Sequence, residues 1–345
     1  MLFSEADTAE ITRNHDKNDK AMTTLRAPNA PRIINRLHVD HDAEIARLID
    51  GLRATPASIE PKYFYDPLGC ALYAAICQLD EYYPTRTERA IFQQYRDESA
   101  AKIAESGQGG TFADLGAGDC CKALPWLPFI QPQRYLAIDI AGPSLASALA
   151  SMASEFPEIE MIGLVTDFSQ RLDIPAQLLQ TPATLFYPGS SIGNFTPADA
   201  TKFLRQIRAY TDGGGLLIGV DAKKDKRRLD AAYADALGVT AAFNLNALRH
   251  INRVIDSDFD ETRWRHVGAY NEQLGRIEMH LQSSIDQCVM IGGSARHFAK
   301  DERIHSENSY KYSREEFETM LREAGFSDIN VWTDAEQAFW VFYSR

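Results

Sequence analysis

The sequence predicts an α/β protein: a parallel sheet with helices on both faces, accompanied by a second, smaller α+β domain. Three observations carry this. Short apolar strands alternate with helical periods from residue 111 to 221, a glycine-rich turn follows the first strand, and acids close the next two.

Taken in order, residues 1–35 are polar without a sustained apolar period and read as a mobile leader. From Asp42 onward, Ile45, Leu48, Ile49 and Leu52 share one helical face. Helical stretches at Ala71–Ile76 and Glu88–Ile103 flank a turn-like EYYPTR, and GQGG at 107–110 breaks the pattern. Five strands follow: TFADLGAGDC, RYLAIDI, MIGLVTDF, TLFYPGSSIGNF and GGGLLIGVD. Helical SLASALASMASEF and ADATKFLRQIRAY lie between them. The closing GFSDINVWTDAEQAFWVFYSR reads as two strands that finish the sheet as an antiparallel hairpin. Between Lys223 and Tyr310 the alternation stops. That stretch reads as a helix (RRLDAAYADALGV), an asparagine-bearing turn (AAFNLNALRHINR) and a strand (RIEMHLQSSI) inserted before the hairpin. The basic run KKDKRR at 223–228 reads as a solvated helix start.

The 345 residues carry 36 basic against 48 acidic side chains, a formal charge of −12. A nucleic-acid partner needs a basic footprint and is not expected. Five cysteines without a CxxC argue against a disulfide framework or a zinc site, and for reduced thiols in the cytoplasm. There is no signal-like apolar region, and no apolar run reaches the ~18 residues of a membrane span. A small-molecule partner and a monomer are the simplest expectations.

Asp114-Leu115-Gly116-Ala117-Gly118-Asp119 sits where the first strand meets the next helix, and glycine there lets backbone approach a ligand. It is GxG without a third glycine; Cys121 stands in that place, and no P-loop occurs. Asp139 ends the second strand, where a carboxylate accepts from ribose hydroxyls. Asp167 and Phe168 end the third, suited to an adenine amino group and ring face. Together they point to an adenosine-type cofactor. NAD and S-adenosylmethionine both fit. The absent third glycine and the terminal hairpin, which resembles the ending of class I methyltransferases, favour the latter. Lys122, just past the turn, is placed to meet the methionyl carboxylate.

Longer strings occur in a fixed order: PKYFYDPLG (61–69), EYYPTRTE (81–88), GSSIGNFTP (189–197), GVTAAFNLN (238–246), RIEM (276–279) and HSENSYKYS (305–313). With them the chain resembles the S-adenosylmethionine-dependent histidine Nα-methyltransferases of the ergothioneine pathway, from roughly residue 40 to the end. The resemblance implies a class I, Rossmann-like methyltransferase domain of residues 87–223 plus 312–345. It also implies a substrate-binding domain of residues 36–86 plus 224–311. It places substrate contacts at Tyr82, Asn194, Tyr233, Met279, Glu307, Asn308 and Ser309, and cofactor contacts at Gly116, Lys122, Asp139, Asp167 and Phe168. Tyr65 and Glu307 become the candidate catalytic residues. Asn308 is polar where actinobacterial members carry an apolar residue.

These residue types suit the reaction so implied. Asn194 and Tyr233 offer neutral donors to an α-carboxylate, Glu307 and Ser309 orient an α-amino group, and Tyr82 addresses an imidazole. Glu307 is expected to hold an ammonium better than it deprotonates one, with proton loss through water or Tyr65. The implied activity is three methyl transfers to histidine, giving hercynine. The alternatives are another aromatic amine such as a tryptophan derivative, an NAD-dependent oxidoreductase, or a non-catalytic adenosine-binding module.

Overall fold

The computed structural model describes residues 30–37, 41–168 and 171–345. The chain runs β1 (Arg32–Asn35), α1 (His41–Arg53), β2 (Ala57–Ser58), α2 (Pro67–Ile76), α3 (Tyr83–Gln94), α4 (Arg96–Ala104), β3 (Thr111–Leu115) and α5 (Leu127–Ile130). It continues with β4 (Arg134–Asp139), α6 (Gly142–Glu155), β5 (Glu160–Val165), β6 (Ala183–Tyr187), α7 (Pro197–Tyr210) and β7 (Leu216–Asp221). Then come α8 (Lys226–Tyr233), α9 (Val239–Ile255), β8 (Trp264–Asn271), β9 (Arg276–Ser283), β10 (Gln287–Ile291) and β11 (Ser294–Phe298). The last elements are β12 (Arg303–Tyr310), α10 (Arg314–Glu323), β13 (Ile329–Thr333) and β14 (Phe339–Ser344).

Eight strands form one sheet in the order β1-β5-β4-β3-β6-β7-β14-β13. β1 and β3 to β7 pair in parallel, whereas β14 is antiparallel to both β7 and β13. The predicted α/β class and its closing hairpin are present. Every residue of β3, β6 and β7 is buried, as a strand covered by helices on both faces requires. Alternate residues feed two separate cores: Ala113, Leu136 and Leu185 pack on one face, Phe112, Tyr135 and Phe186 on the other. The strand order reverses between β3 and β6, and in such sheets a crevice for ligand opens beyond the carboxyl ends at the reversal.

A second sheet, β2-β12-β9-β8, lies above that crevice. α8 and α9 pack on it, and one hydrophobic cluster draws on residues 48–83 and 229–304 together, from Leu52 and Phe64 to Leu248 and Met279. The insertion is therefore closed over by the N-terminal segment, and neither buries its apolar face alone.

Several local expectations are corrected. The sequence places the leader's end at residue 35, but Arg32–Asn35 is an edge strand on β5; residues 1–29 lie outside the described residues. Its four residues are largely exposed, so no apolar pattern betrayed it. EYYPTR is not a turn: α3 begins inside it, with Pro84 in its first turn, a position proline favours. The helical stretch 88–103 divides at Tyr95. AAFNLNALRHINR is the body of α9, because Asn246 donates to Asp66 Oδ1 at 2.7 Å and Asn244 to His280 O at 3.0 Å. Those buried partners override the low helix propensity of asparagine. In KKDKRR, Asp225 caps α8 as a helix start should, but Lys224 is buried against Asp221 and Tyr83.

Candidate active site

The carboxyl ends of β3 to β7 deliver the site. After β3 the chain turns through Gly116 (φ 72°) and Gly118 (φ 55°), left-handed conformations that L side chains rarely adopt. A Cβ at Gly118 would meet nothing within 4 Å, and one at Gly116 only the edge of Phe168 at 3.9 Å. The turn therefore faces open space, with an aromatic ring behind it. Asp139 at the end of β4 accepts from Gly118 N at 2.9 Å and from Ala141 N at 2.8 Å, so it holds the loop's shape. An ionised carboxylate has about four acceptor sites, which leaves room for ribose hydroxyls. Asp167 and Phe168 follow β5, both half-buried, and Phe168 stacks on Phe203 at 6.0 Å. Gly116, Asp139, Asp167 and Phe168 thus surround one cradle, whose donors and shape fit the adenosyl half of S-adenosylmethionine.

Lys122 reaches across from the same loop. Its Nζ donates to Glu88 Oε2 at 2.8 Å, while Glu88 Oε1 accepts from Gly189 N at 2.6 Å. Glu88, on α3 and 1% exposed, was not singled out in the sequence. It ties the GxG loop to the turn after β6, and the lysine keeps two N–H donors for a carboxylate.

Beside this cradle a pocket opens between the two sheets. Tyr65, Tyr82, Asn194, Tyr233, Met279, Glu307 and Ser309 all line it, together with Tyr73, Phe243, Asp221 and Lys311. The local structure explains the convergence. Glu307 and Ser309 are alternate residues at the end of β12 and share a face, and Lys311, the residue just after the strand, continues the alternation into the same pocket. Met279 of β9 stands opposite Glu307 in register. Tyr233 ends α8, and its carbonyl accepts from His266 Nε2 at 2.7 Å while Asn244 meets the ring's other nitrogen at 2.8 Å. Asn194 closes the helical turn Ser191–Asn194 after β6 and hydrogen-bonds Glu307. Tyr82 and Tyr73 are joined through their hydroxyls.

Asn308 is the candidate that the structure keeps away. It faces the other side of β12, opposite Glu278, and its Oδ1 meets His305 Nε2 at 2.9 Å. Strand alternation decides this: the neighbour of two pocket residues points out.

Burial pushes the Glu307 carboxyl up to about 7, against the pull of Lys311 and the Asn194 hydrogen bond. Tyr65, 43% exposed at the pocket mouth, is also held above its ordinary range, first by desolvation and then by Glu307. It stays a neutral phenol at any physiological pH. The Glu307 shift has a stability consequence. Between 4.5 and about 7 the folded protein holds a proton that the unfolded chain has released. Stability from this group is thus fully present below 4.5 and lost as pH rises through about 7. Ligand-free E307Q is expected to match the wild type at pH 4 and to exceed it at pH 8 by about 1–3 kcal/mol in denaturant unfolding. An equal difference at both pH values would remove the buried carboxyl from the account.

Besides Glu88, the residues not singled out in the sequence include a network beneath the pocket. Asp221, at the end of β7, accepts from Tyr83 hydroxyl at 2.8 Å, Lys224 Nζ at 2.5 Å and Lys311 Nζ at 2.8 Å. Acids at the ends of two earlier strands had been noted; Asp221 continues that series and was legible by position. Lys311, four residues from Glu307, turns inward to Asp221.

A parallel sheet in this order with an antiparallel seventh strand, a GxG cradle with strand-end acids, and an adjoining polar pocket define a class I S-adenosylmethionine-dependent methyltransferase. The family described as "Histidine-specific methyltransferase, SAM-dependent" matches residues 44–345, and the chain belongs to that family. A histidine N-alpha-methyltransferase of Mycolicibacterium smegmatis is 37% identical, covering 88% of this chain and 95% of its own. One from Mycobacterium tuberculosis is 34% identical over 82% of this chain and 89% of its own. A 4-dimethylallyltryptophan N-methyltransferase of Claviceps purpurea is 27% identical over 89% and 96%. No helix among the described residues is long and apolar enough to cross a membrane.

Proposed function

We propose that this protein transfers three methyl groups from S-adenosylmethionine to the α-amino nitrogen of L-histidine, giving hercynine, the first step of ergothioneine biosynthesis. One observation carries the reading: a half-buried carboxyl, Glu307, shares a tyrosine-lined pocket with the hydroxyls of Ser309 and Tyr233, beside the adenosyl cradle. Two relatives named as histidine N-alpha-methyltransferases support it. The five unpaired cysteines accord with action in the cytoplasm. The layer built on β2, β12, β9 and β8 is the substrate-binding domain in this reading.

When bound, S-adenosylmethionine supplies an electrophilic methyl carbon on a sulfonium; the chain's own residues bind and orient the amine. A carboxyl poised near neutrality is matched both to pair with the ammonium and to take its proton. Burial alone makes this second task available, so Glu307 rather than neutral Tyr65 is the proton acceptor. Tyr65 hydrogen-bonds or packs. Tyr65, Tyr73 and Phe243 lie 5.8–6.0 Å apart and form a three-sided aromatic wall. Such a wall favours the growing methylammonium by cation–π attraction. Correct placement of amine and donor contributes up to about 7–11 kcal/mol of the barrier.

Mass spectrometry after incubation with S-adenosylmethionine and each of the twenty amino acids, with a prenylated tryptophan added, tests the proposal. Histidine gaining three methyl groups is expected. Turnover confined to the tryptophan-type amine would overturn it in favour of the specificity for which the Claviceps relative is named.

A further inference from the structure

Lys311 is 2% exposed, yet just beyond the end of β12 it lines the pocket with Glu307 and Ser309. Its three N–H donors are all engaged: Asp221 Oδ2 at 2.8 Å, Ser309 Oγ at 2.8 Å and the Tyr233 hydroxyl at 3.1 Å. The Tyr233 hydroxyl in turn donates to Ser309 Oγ at 3.0 Å. A serine hydroxyl has one proton and two acceptor sites. Ser309 therefore accepts twice, and its own proton must point away from both donors. No acceptor for it exists among the described residues, and Ser309 lines the pocket.

Charge follows the same geometry. Asp221 serves two lysines, Lys311 and Lys224, which leaves an excess of positive charge beneath the Ser309–Tyr233 end. Burial pulls the Lys311 ammonium down, but Asp221 and Tyr233 outweigh it, so the group remains protonated. Four residues back along the chain, Glu307 supplies the opposite sign. An amino-acid zwitterion carries the same two signs, a carboxylate and an ammonium.

We infer that Lys311 is the carboxylate-positioning residue of the pocket. It does not touch the substrate. With both acceptor sites of Ser309 filled by Tyr233 and Lys311, its remaining O–H, backed by a buried positive charge, serves the substrate's α-carboxylate and not the α-amino group that the sequence suggests for it. This rests on the reading of the substrate as an amino acid.

The test compares histidine with histidinamide, which lacks the carboxylate. Lys311→Met removes donors and charge at similar length, while Asp221 keeps Lys224 and Tyr83 as partners. Wild-type protein is expected to prefer histidine strongly. In K311M the KM for histidine rises by about 30-fold, with kcat and the KM for histidinamide changed by less than about threefold. Lys311→Gln, which keeps N–H donors without charge, falls between, and carries the same comparison if K311M does not fold. Equal losses on both substrates, or an undiminished preference in the variants, would overturn the inference. Wild-type protein that methylates neither compound overturns the histidine reading and not the role of Lys311, which is then read from the amino acid that is turned over and its amide.

Discussion

Glu307→Gln lowers kcat/KM for histidine by about 10²–10³-fold and leaves the affinity for S-adenosylmethionine within about twofold. The size follows from what the substitution removes. In the proposed reading the substrate's ammonium enters this pocket, and Glu307 is the only carboxylate among its lining residues outside the lysine-bound Asp221. An amide keeps the shape and the Asn194 hydrogen bond but offers neither charge nor a base. Losing one partner of a buried charged pair costs about 3–5 kcal/mol. The cofactor cradle is built by other elements, β3 to β5, so its affinity is the internal control. Steady-state rates on histidine, with calorimetric titration of S-adenosylhomocysteine, check both halves. Parallel loss of turnover and cofactor affinity would show that Glu307 supports the fold of the crevice instead.

Asp139→Ala raises the dissociation constant for S-adenosylhomocysteine by about 100-fold. Two effects add. The carboxylate is the proposed partner of the ribose hydroxyls, and it also fixes the GxG turn through Gly118 N at 2.9 Å and Ala141 N at 2.8 Å. Hydrogen bonds to a charged group contribute about 1.5–3 kcal/mol each, so the loss is large even where water replaces one. Calorimetry on the purified variant reads it directly. Unchanged affinity would refute the ribose role, since the turn alone is held at its other end by Gly116 N to Ile138 O, 2.9 Å.

The sheet was legible because buried strands are continuous apolar runs and because acids and glycines punctuate their ends. The terminal hairpin was legible for the same reason. Most pocket residues were legible only through the longer strings, since Tyr82, Asn194 and Tyr233 taken singly are ordinary packing or turn residues. Strand alternation in β12 could have excluded Asn308 once Glu307 and Ser309 were chosen together. What the chain hid were interactions between distant segments. The asparagines of α9 look like turn residues until Asp66 and His280 are brought beside them. Lys311 and Lys224 look like surface charge until β7 places Asp221 between them. The near-neutral carboxyl of Glu307 is a property of burial, which no local pattern records.

The last strand has a bearing on how activity reports the integrity of the molecule. Phe339–Ser344 joins β7 on one edge and β13 on the other, and Phe339 pairs with Asp221, the residue that anchors both lysines. A chain clipped ahead of Phe339 leaves β7 as an open edge and deprives the pocket floor of its neighbour in the same stroke. Catalytic competence and complete assembly are thus coupled in one hydrogen-bonded seam.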